Sequence, residues 1–418
     1  MDAKENALYE KELTDSVSSL RAKNRTFEEA NWFIDQLETH FALANMRAQK
    51  PKLIALGGGV PEELMCAADP HPLWVLGGSL AAAHWADALV PRDTDPIHRS
   101  ILGFLENPQF DLAKNALIVI PAATDSQRKL AYLLRARGKS VMTIDVYPDK
   151  EREDARAQYL EQLTRAADAM GDHTGRRVNR GNLTSAFLNV QNARRQLRTF
   201  LRKADGLENR LPASVRMAVE FSFSCADNLP LWTMRLNRLS CEIGRFMGRV
   251  GAAVAGKPRV LLMGSSVCFP NYKIPFLVED VGLVIGASVD PLNQKHGIPA
   301  VQLSGAPSRR ALLKQIAYSH YESDCSGAYV SNETLFTVVR ALLARQPIEG
   351  VVYHVLKGQV EYDFELARFE RLFEQCGIPV FRLETDYQYQ DVEQLRIRME
   401  AFREMLEQNR YAGRRAAQ

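Results

Sequence analysis

Short apolar runs alternate with helical stripes along most of the chain. From Lys52 the runs LIAL, LWVL, ALIVI and SVMTI are separated by segments of about one helix each, the pattern of a parallel, doubly wound α/β sheet. Between about Lys150 and Gly256 the strand signal fades. Leu183, Phe187, Val190, Leu197 and Leu201 recur there at helical spacing behind an expected cap at Asn182. Alternation resumes at Arg259 with VLLM, LVIG, VVYHVL and VFRL, which predicts a second α/β sheet. Ahead of both, Phe27, Ala30, Phe33, Ile34 and Leu37 form one apolar stripe. The expected organisation is a helical lead-in over 1–50, an α/β domain over 51–150, a helical region over 151–256 and a second α/β domain over 257–418.

The last quarter has the clearest local signals. The apolar run Gly350 to Leu356 meets a polar Lys357-Gly358-Gln359 corner, as a buried parallel strand does on leaving its sheet. Leu366, Phe369, Phe373 and Cys376 then mark a helix that Gly377 stops, and Pro379 begins a strand over Val380 to Leu383. Val392, Leu395, Met399, Phe402 and Leu406 share one face of a final helix, which predicts core packing. Two further corners, Gly57-Gly58-Gly59 and Gly264-Ser265-Ser266, follow strands. Neither matches a dinucleotide fingerprint or a P-loop, so sharp turning explains the glycines, and any ATP dependence belongs to another polypeptide.

Composition narrows the function classes. With 418 residues, 53 basic and 50 acidic, the chain has no basic excess to draw it to nucleic acid or anionic lipid. Its six cysteines include no CxxC pair, which points to reduced thiols in a cytoplasm. No apolar run approaches the roughly 18 residues of a membrane span.

Polar clusters lie at expected strand ends, Arg92 to Arg99 and Ala123 to Ser126, where doubly wound sheets bind ligands. Asp95 and Asp125 also suit helix caps. The histidines, His98 included, have no metal-pair spacing, and no GxSxG elbow occurs. Cys325, five residues after His320, reads as part of a loop. Arg194, Arg195, Arg198, Arg202 and Lys203 read as a solvated helix face, with a groove for nucleotide phosphates as the other reading.

The segments PEELMCAAD, PIHRSILGFL, TDSQRK, HTGRRVNRGNLTSAFLNVQNARR, RVLLMGSSVCFPNYKIPFLVEDVG, YDFE and GIPVFRLETDYQYQDVEQLRIRMEAF together resemble the superfamily of benzoyl-CoA reductase and 2-hydroxyacyl-CoA dehydratase subunits. Within it the KGQVEYDFEL corner and PNYKIPFLVED look closest to a benzoyl-CoA reductase B-type subunit. The resemblance implies two flavodoxin-like domains, a second subunit, an acyl-CoA substrate, and an ATP-hydrolysing iron–sulfur activator fed indirectly by ferredoxin. It also implies a [4Fe–4S] cluster held by three cysteines, at positions this chain fills with Asp95, Thr124 and Gln359. Oxygen and amide donors are poor ligands for cluster iron, so the cluster is expected on the partner subunit and no metal on this chain.

In that frame Thr124 and Gln359 are expected to stabilise charge on a thioester carbonyl, and Asp95 to relay a proton. Arg99 and Lys357 are expected at the substrate, and Lys273, Arg309 and Arg310 at the CoA phosphates. The implied activity is acyl-CoA reduction of benzoyl-CoA reductase type. The alternatives are water removal from a 2-hydroxyacyl-CoA through a one-electron ketyl, or a non-catalytic scaffold role.

Overall fold

A computed structural model of the chain describes residues 3–250, 256–292, 298, 305 and 307–416. Three helices lead in: α1 (Ala3–Lys23), α2 (Glu28–Phe41) and α3 (Leu43–Ala48). The first sheet unit runs β1 (Leu53–Leu56), α4 (Glu62–Ala68), β2 (Leu73–Val75), α5 (Leu80–Trp85), α6 (Pro96–Glu106), β3 (Leu117–Ala122), α7 (Asp125–Ala136) and β4 (Val141–Asp145). Helices α8 (Ala155–Thr174), α9 (Arg180–Ala204), α10 (Ala213–Phe221) and α11 (Leu229–Val250) follow, with a single 3-10 turn at Ser222–Cys225. The second unit runs β5 (Arg259–Gly264), α12 (Lys273–Asp280), β6 (Val284–Val289), α13 (Arg309–Ser323), α14 (Glu333–Arg345), β7 (Gly350–Leu356), α15 (Glu361–Gln375), β8 (Val380–Thr385) and α16 (Val392–Ala416). Residues 251–255, just before the expected boundary at 256, lie outside the described residues.

Both sheets are parallel and share one topology. The strand orders are β2-β1-β3-β4 and β6-β5-β7-β8, so chain order reverses between β1 and β3 in one and between β5 and β7 in the other. Central strands are apolar throughout because both of their faces are covered; β1 is buried at all four positions and β7 at all seven. The edge strands β4 and β8 are only half-buried. All eight strand runs read in the sequence are present.

The helical region bridges the two units. Helix α8 packs on β4 and α13, and α9 packs on α4, α11 and α13. The lead-in is equally engaged, since its predicted stripe is fully buried and Ser16 donates to the Pro270 carbonyl at 2.6 Å. Helix α16 buries Leu395, Met399, Phe402 and Leu406, as its spacing predicts. No helix is long and apolar enough to cross a membrane among the described residues.

Two helix starts differ from the sequence reading. The cap of α9 is Asn179, three residues before the expected Asn182, which instead reaches back to the Asn179 amide as the other half of a capping box. In α7 the cap is Thr124 rather than Asp125, because Thr124 Oγ1 accepts from the Gln127 amide and Gln127 Oε1 from the Thr124 amide.

Candidate active site

Ligand clefts of doubly wound sheets open where strand order reverses, outside the carboxyl ends of the strands. Here the two reversal points share one cavity of about 110 Å³, lined by Gly57–Gly59 after β1, Thr124 after β3, Ser266 after β5, and Glu361 and Tyr362 after β7. The β5 corner needs glycine: a Cβ at Gly264, whose φ is +114°, would lie 2.1 Å from the His354 carbonyl oxygen.

The polar wall of this cavity is built on the start of α6. Asp95 caps the helix, accepting from the Ile97 amide at 2.8 Å, while Pro96 sets the first turn. Its other oxygen meets His98 Nδ1 at 2.5 Å and accepts from Gln359 Nε2 at 3.0 Å. Asp95 is 2% exposed, and His98, not Asp95, faces the cavity. Burial acts to raise the Asp95 carboxyl, but the charge and hydrogen bond of His98, with Gln359 and the Ile97 amide, hold it below the usual carboxylate range. Burial acts to lower His98, and Asp95, with a smaller push from Glu361, raises it above the usual imidazole value. Asp95 thus orients the imidazole through Nδ1 and favours its protonated form, leaving the second nitrogen directed away from the carboxylate, the arrangement of a positioned acid and base.

Glu361 stands on the same wall, its carboxyl raised by burial and by Asp95. Thr124 lines the cavity, its Oγ1 accepting from the Gln127 amide as the cap of α7. Gln359 is buried behind His98 and its Oε1 has no partner among the described residues. Asp95 and Gln359 meet behind His98, while Thr124 lines the cavity itself. The sequence reading missed His98 and Glu361. The three-residue step from Asp95 to His98 on one helix face was the available signal.

The expected substrate cations do not gather there. Arg99 is buried and bonds the Arg92 and Ala83 carbonyls and Asp87, which makes it a strut between α5 and α6. Lys273 is also buried, donating to the Asp386 carbonyl at 2.9 Å, to the Gln388 carbonyl at 2.5 Å and to Asp391 at 3.1 Å. Arg309 ties α13 to Asp168 and the Val178 carbonyl. Arg310 is exposed outside the cavity wall, and Lys357 pairs with Asp386 at 3.1 Å.

The donor set of the cavity bears on cluster ligation. Cys268 alone of the described cysteines lines the cavity, and burial pushes its thiol well up, against the thiolate that iron needs. One suppressed thiol among oxygen and nitrogen donors does not fit a [4Fe–4S] cubane. Cys325 is buried in its loop with its thiol pushed up to about 12 by burial, and Cys66 likewise to about 12.

A second polar cluster corrects the reading of Arg194 as a solvated residue. Arg194 is fully buried and donates to Glu63 at 2.6 Å and to Glu62 at 2.5 Å, while His320 Nε2 lies 2.9 Å from Glu63. Glu62, Glu63 and His320 have the closeness of a metal triad, but the guanidinium already sits between the carboxylates. The cluster joins α4, α9 and α13, one element from each of the three main segments.

The sequence model of the family described as "2-hydroxyglutaryl-CoA dehydratase, D-component" matches residues 58–406. The chain belongs to that family. It is also similar to the Escherichia coli (strain K12) protein named "Putative dehydratase subunit YjiM", at 22% identity over 349 residues, 83% of this chain and 89% of that one. Both matches carry a dehydratase description. The family span takes in every cavity corner except the first glycine, Gly57.

Proposed function

We propose that this chain is the acyl-CoA-binding subunit of a 2-hydroxyacyl-CoA dehydratase-type complex, with the electron-carrying iron–sulfur group on a second subunit. His98, which lines the cavity shared by both sheets and is backed by the buried Asp95, carries this reading. Removing water from a 2-hydroxyacyl thioester takes a proton from the neighbouring carbon and delivers one to the departing hydroxyl. His98, hydrogen-bonded through Nδ1 to Asp95, can donate the second proton when protonated and, once neutral, accept the first. Thr124 supplies a hydroxyl donor toward negative charge on the thioester oxygen. The family description supports the dehydratase reading over benzoyl-CoA reduction. An ATP-hydrolysing activator and ferredoxin fit the same division of labour, because the chain carries no P-loop.

The test is anaerobic co-expression with a candidate second subunit and activator, followed by metal analysis and conversion of a 2-hydroxyacyl-CoA to the enoyl-CoA. The expected result is iron and sulfide on the partner, with conversion lost in His98→Asn. About four irons retained by this chain alone, or full conversion by His98→Asn, would sink the proposal.

A further inference from the structure

Away from the cavity, α9, α10, β6 and α14 enclose an open basin of about 730 Å³. Its walls carry five arginines, Arg195, Arg198, Arg202, Arg216 and Arg345, against two carboxylates, Asp205 and Glu220, and of the five Arg216 is buried, bonded to the Ile285 carbonyl at 2.7 Å and 3.8 Å from Glu208. The acidic side is weaker than that count, because burial pushes the Glu220 carboxyl up to about 8 and leaves it mostly protonated at neutral pH. Burial and then the charges of Arg194, Arg195 and Arg202 lower Arg198, so the arginines repel one another here. Arg195, Arg202 and Arg345 have no carboxylate within ion-pair distance among the described residues. The floor is apolar, with Met217, Ile285, Ala287 and Leu342.

A small void lies between the basin and the cavity. This void of about 10 Å³ shares Glu220 with the basin, and it shares Leu76 and Leu292 with the cavity. Its remaining walls include Leu197, Phe221 and Phe223. A space that small admits about one water, so it separates the two larger spaces.

We propose that the arginine basin holds the phosphorylated nucleotide head of the thioester. The inference rests on the acyl-CoA reading above and adds the head-group site. Arginine suits this role because its planar fork meets two phosphate oxygens at once, and an apolar floor suits an adenine face. The phosphate site is thus on the helical region and β6, not at Lys273, Arg309 or Arg310.

Calorimetric titration of the full chain with coenzyme A, dephospho-coenzyme A and pantetheine tests it. The expected result is binding that weakens from the first to the third, that falls with salt, and that drops at least tenfold in Arg195→Glu/Arg345→Glu. Inorganic pyrophosphate is expected to compete with coenzyme A on the unmodified chain, a measurement that needs no variant. Both arginines are exposed, and a thermal melt checks that the variant is folded. Unchanged affinity in the folded variant, or no competition by pyrophosphate, would overturn the basin while leaving the acyl-CoA reading standing. No binding of coenzyme A by the unmodified chain would overturn both.

Discussion

Gln359 and Asp95 lie 264 positions apart and are joined by a hydrogen bond of 3.0 Å. The bond ties the carboxyl end of β7 to the start of α6, and so ties one sheet to the other behind His98. The cavity wall is therefore a property of the closed pair of domains. A change at either domain's corner is felt by the histidine.

Asp95→Asn tests this coupling. The amide keeps a helix cap but removes the charge that offsets burial at His98, so the His98 pKa falls below its ordinary value. In the parent protein the sign runs two ways. The pair's stabilisation through His98 is present below the unfolded imidazole value and is lost as pH rises through the raised folded value. Through Asp95 it is present above the unfolded carboxylate value and is lost as pH falls through the depressed folded one. Histidine NMR titration of the two proteins reads the difference. An unchanged His98 titration in the variant would contradict the pairing.

Arg194→Met leaves Glu62 and Glu63 facing each other without a cation in a buried site. Breaking a buried pair of this kind costs about 3–5 kcal/mol, and Arg194→Lys, which keeps charge but loses the fork, is expected to cost less. Chemical denaturation gives both values. Because the cluster joins three segments, the loss is expected as a lower midpoint for the whole transition and not as a separate early phase.

The periodicities made the layers legible. LIAL, ALIVI, VLLM and VVYHVL are central strands because both faces are covered, and that burial is written locally in each run. Caps were legible to within a turn: Asn179 for the expected Asn182, and Thr124 for Asp125. Arg194 was not legible, because one position on a basic helix face becomes buried only when α4 and α13 dock on it. The same holds for Lys273 and Arg99, whose partners include backbone carbonyls, beside Asp391 and Asp87, that no side-chain pattern reveals. Asp95, Thr124 and Gln359 could be placed at strand ends. That His98 intervenes between Asp95 and the cavity is a matter of rotation about the helix axis.

The lead-in carries its own pH signature. Glu12 of α1 accepts from Ser79 Oγ at 2.8 Å and from the Leu80 amide at 2.8 Å at the start of α5. Burial nevertheless raises its carboxyl to about 7, partly offset by those bonds. A raised carboxyl contributes stability that is complete below the unfolded value near 4.5 and is lost as pH rises through about 7. Glu12→Gln, which does not titrate, is expected to flatten the fall in melting temperature over that window. An unaltered slope would place the pH dependence elsewhere.

Gly358 separates backbone strain from the coupling of the two domains. Its φ is +84°, and a Cβ there would lie 3.0 Å from the Asp95 amide nitrogen and 3.3 Å from the Asp93 carbonyl oxygen. Gly377 has a φ of +65° with nothing within 4 Å, so it carries the same conformational demand in open space. Alanine at either position costs roughly 1–2 kcal/mol for the left-handed backbone. Only Gly358→Ala also pushes the β7 corner off the start of α6, lengthening the Gln359–Asp95 bond. The expected outcome is a similar or larger loss of stability than in Gly377→Ala, accompanied by a changed His98 titration that Gly377→Ala lacks. Two variants with identical His98 titrations would show that the corner packs on α6 without setting the histidine.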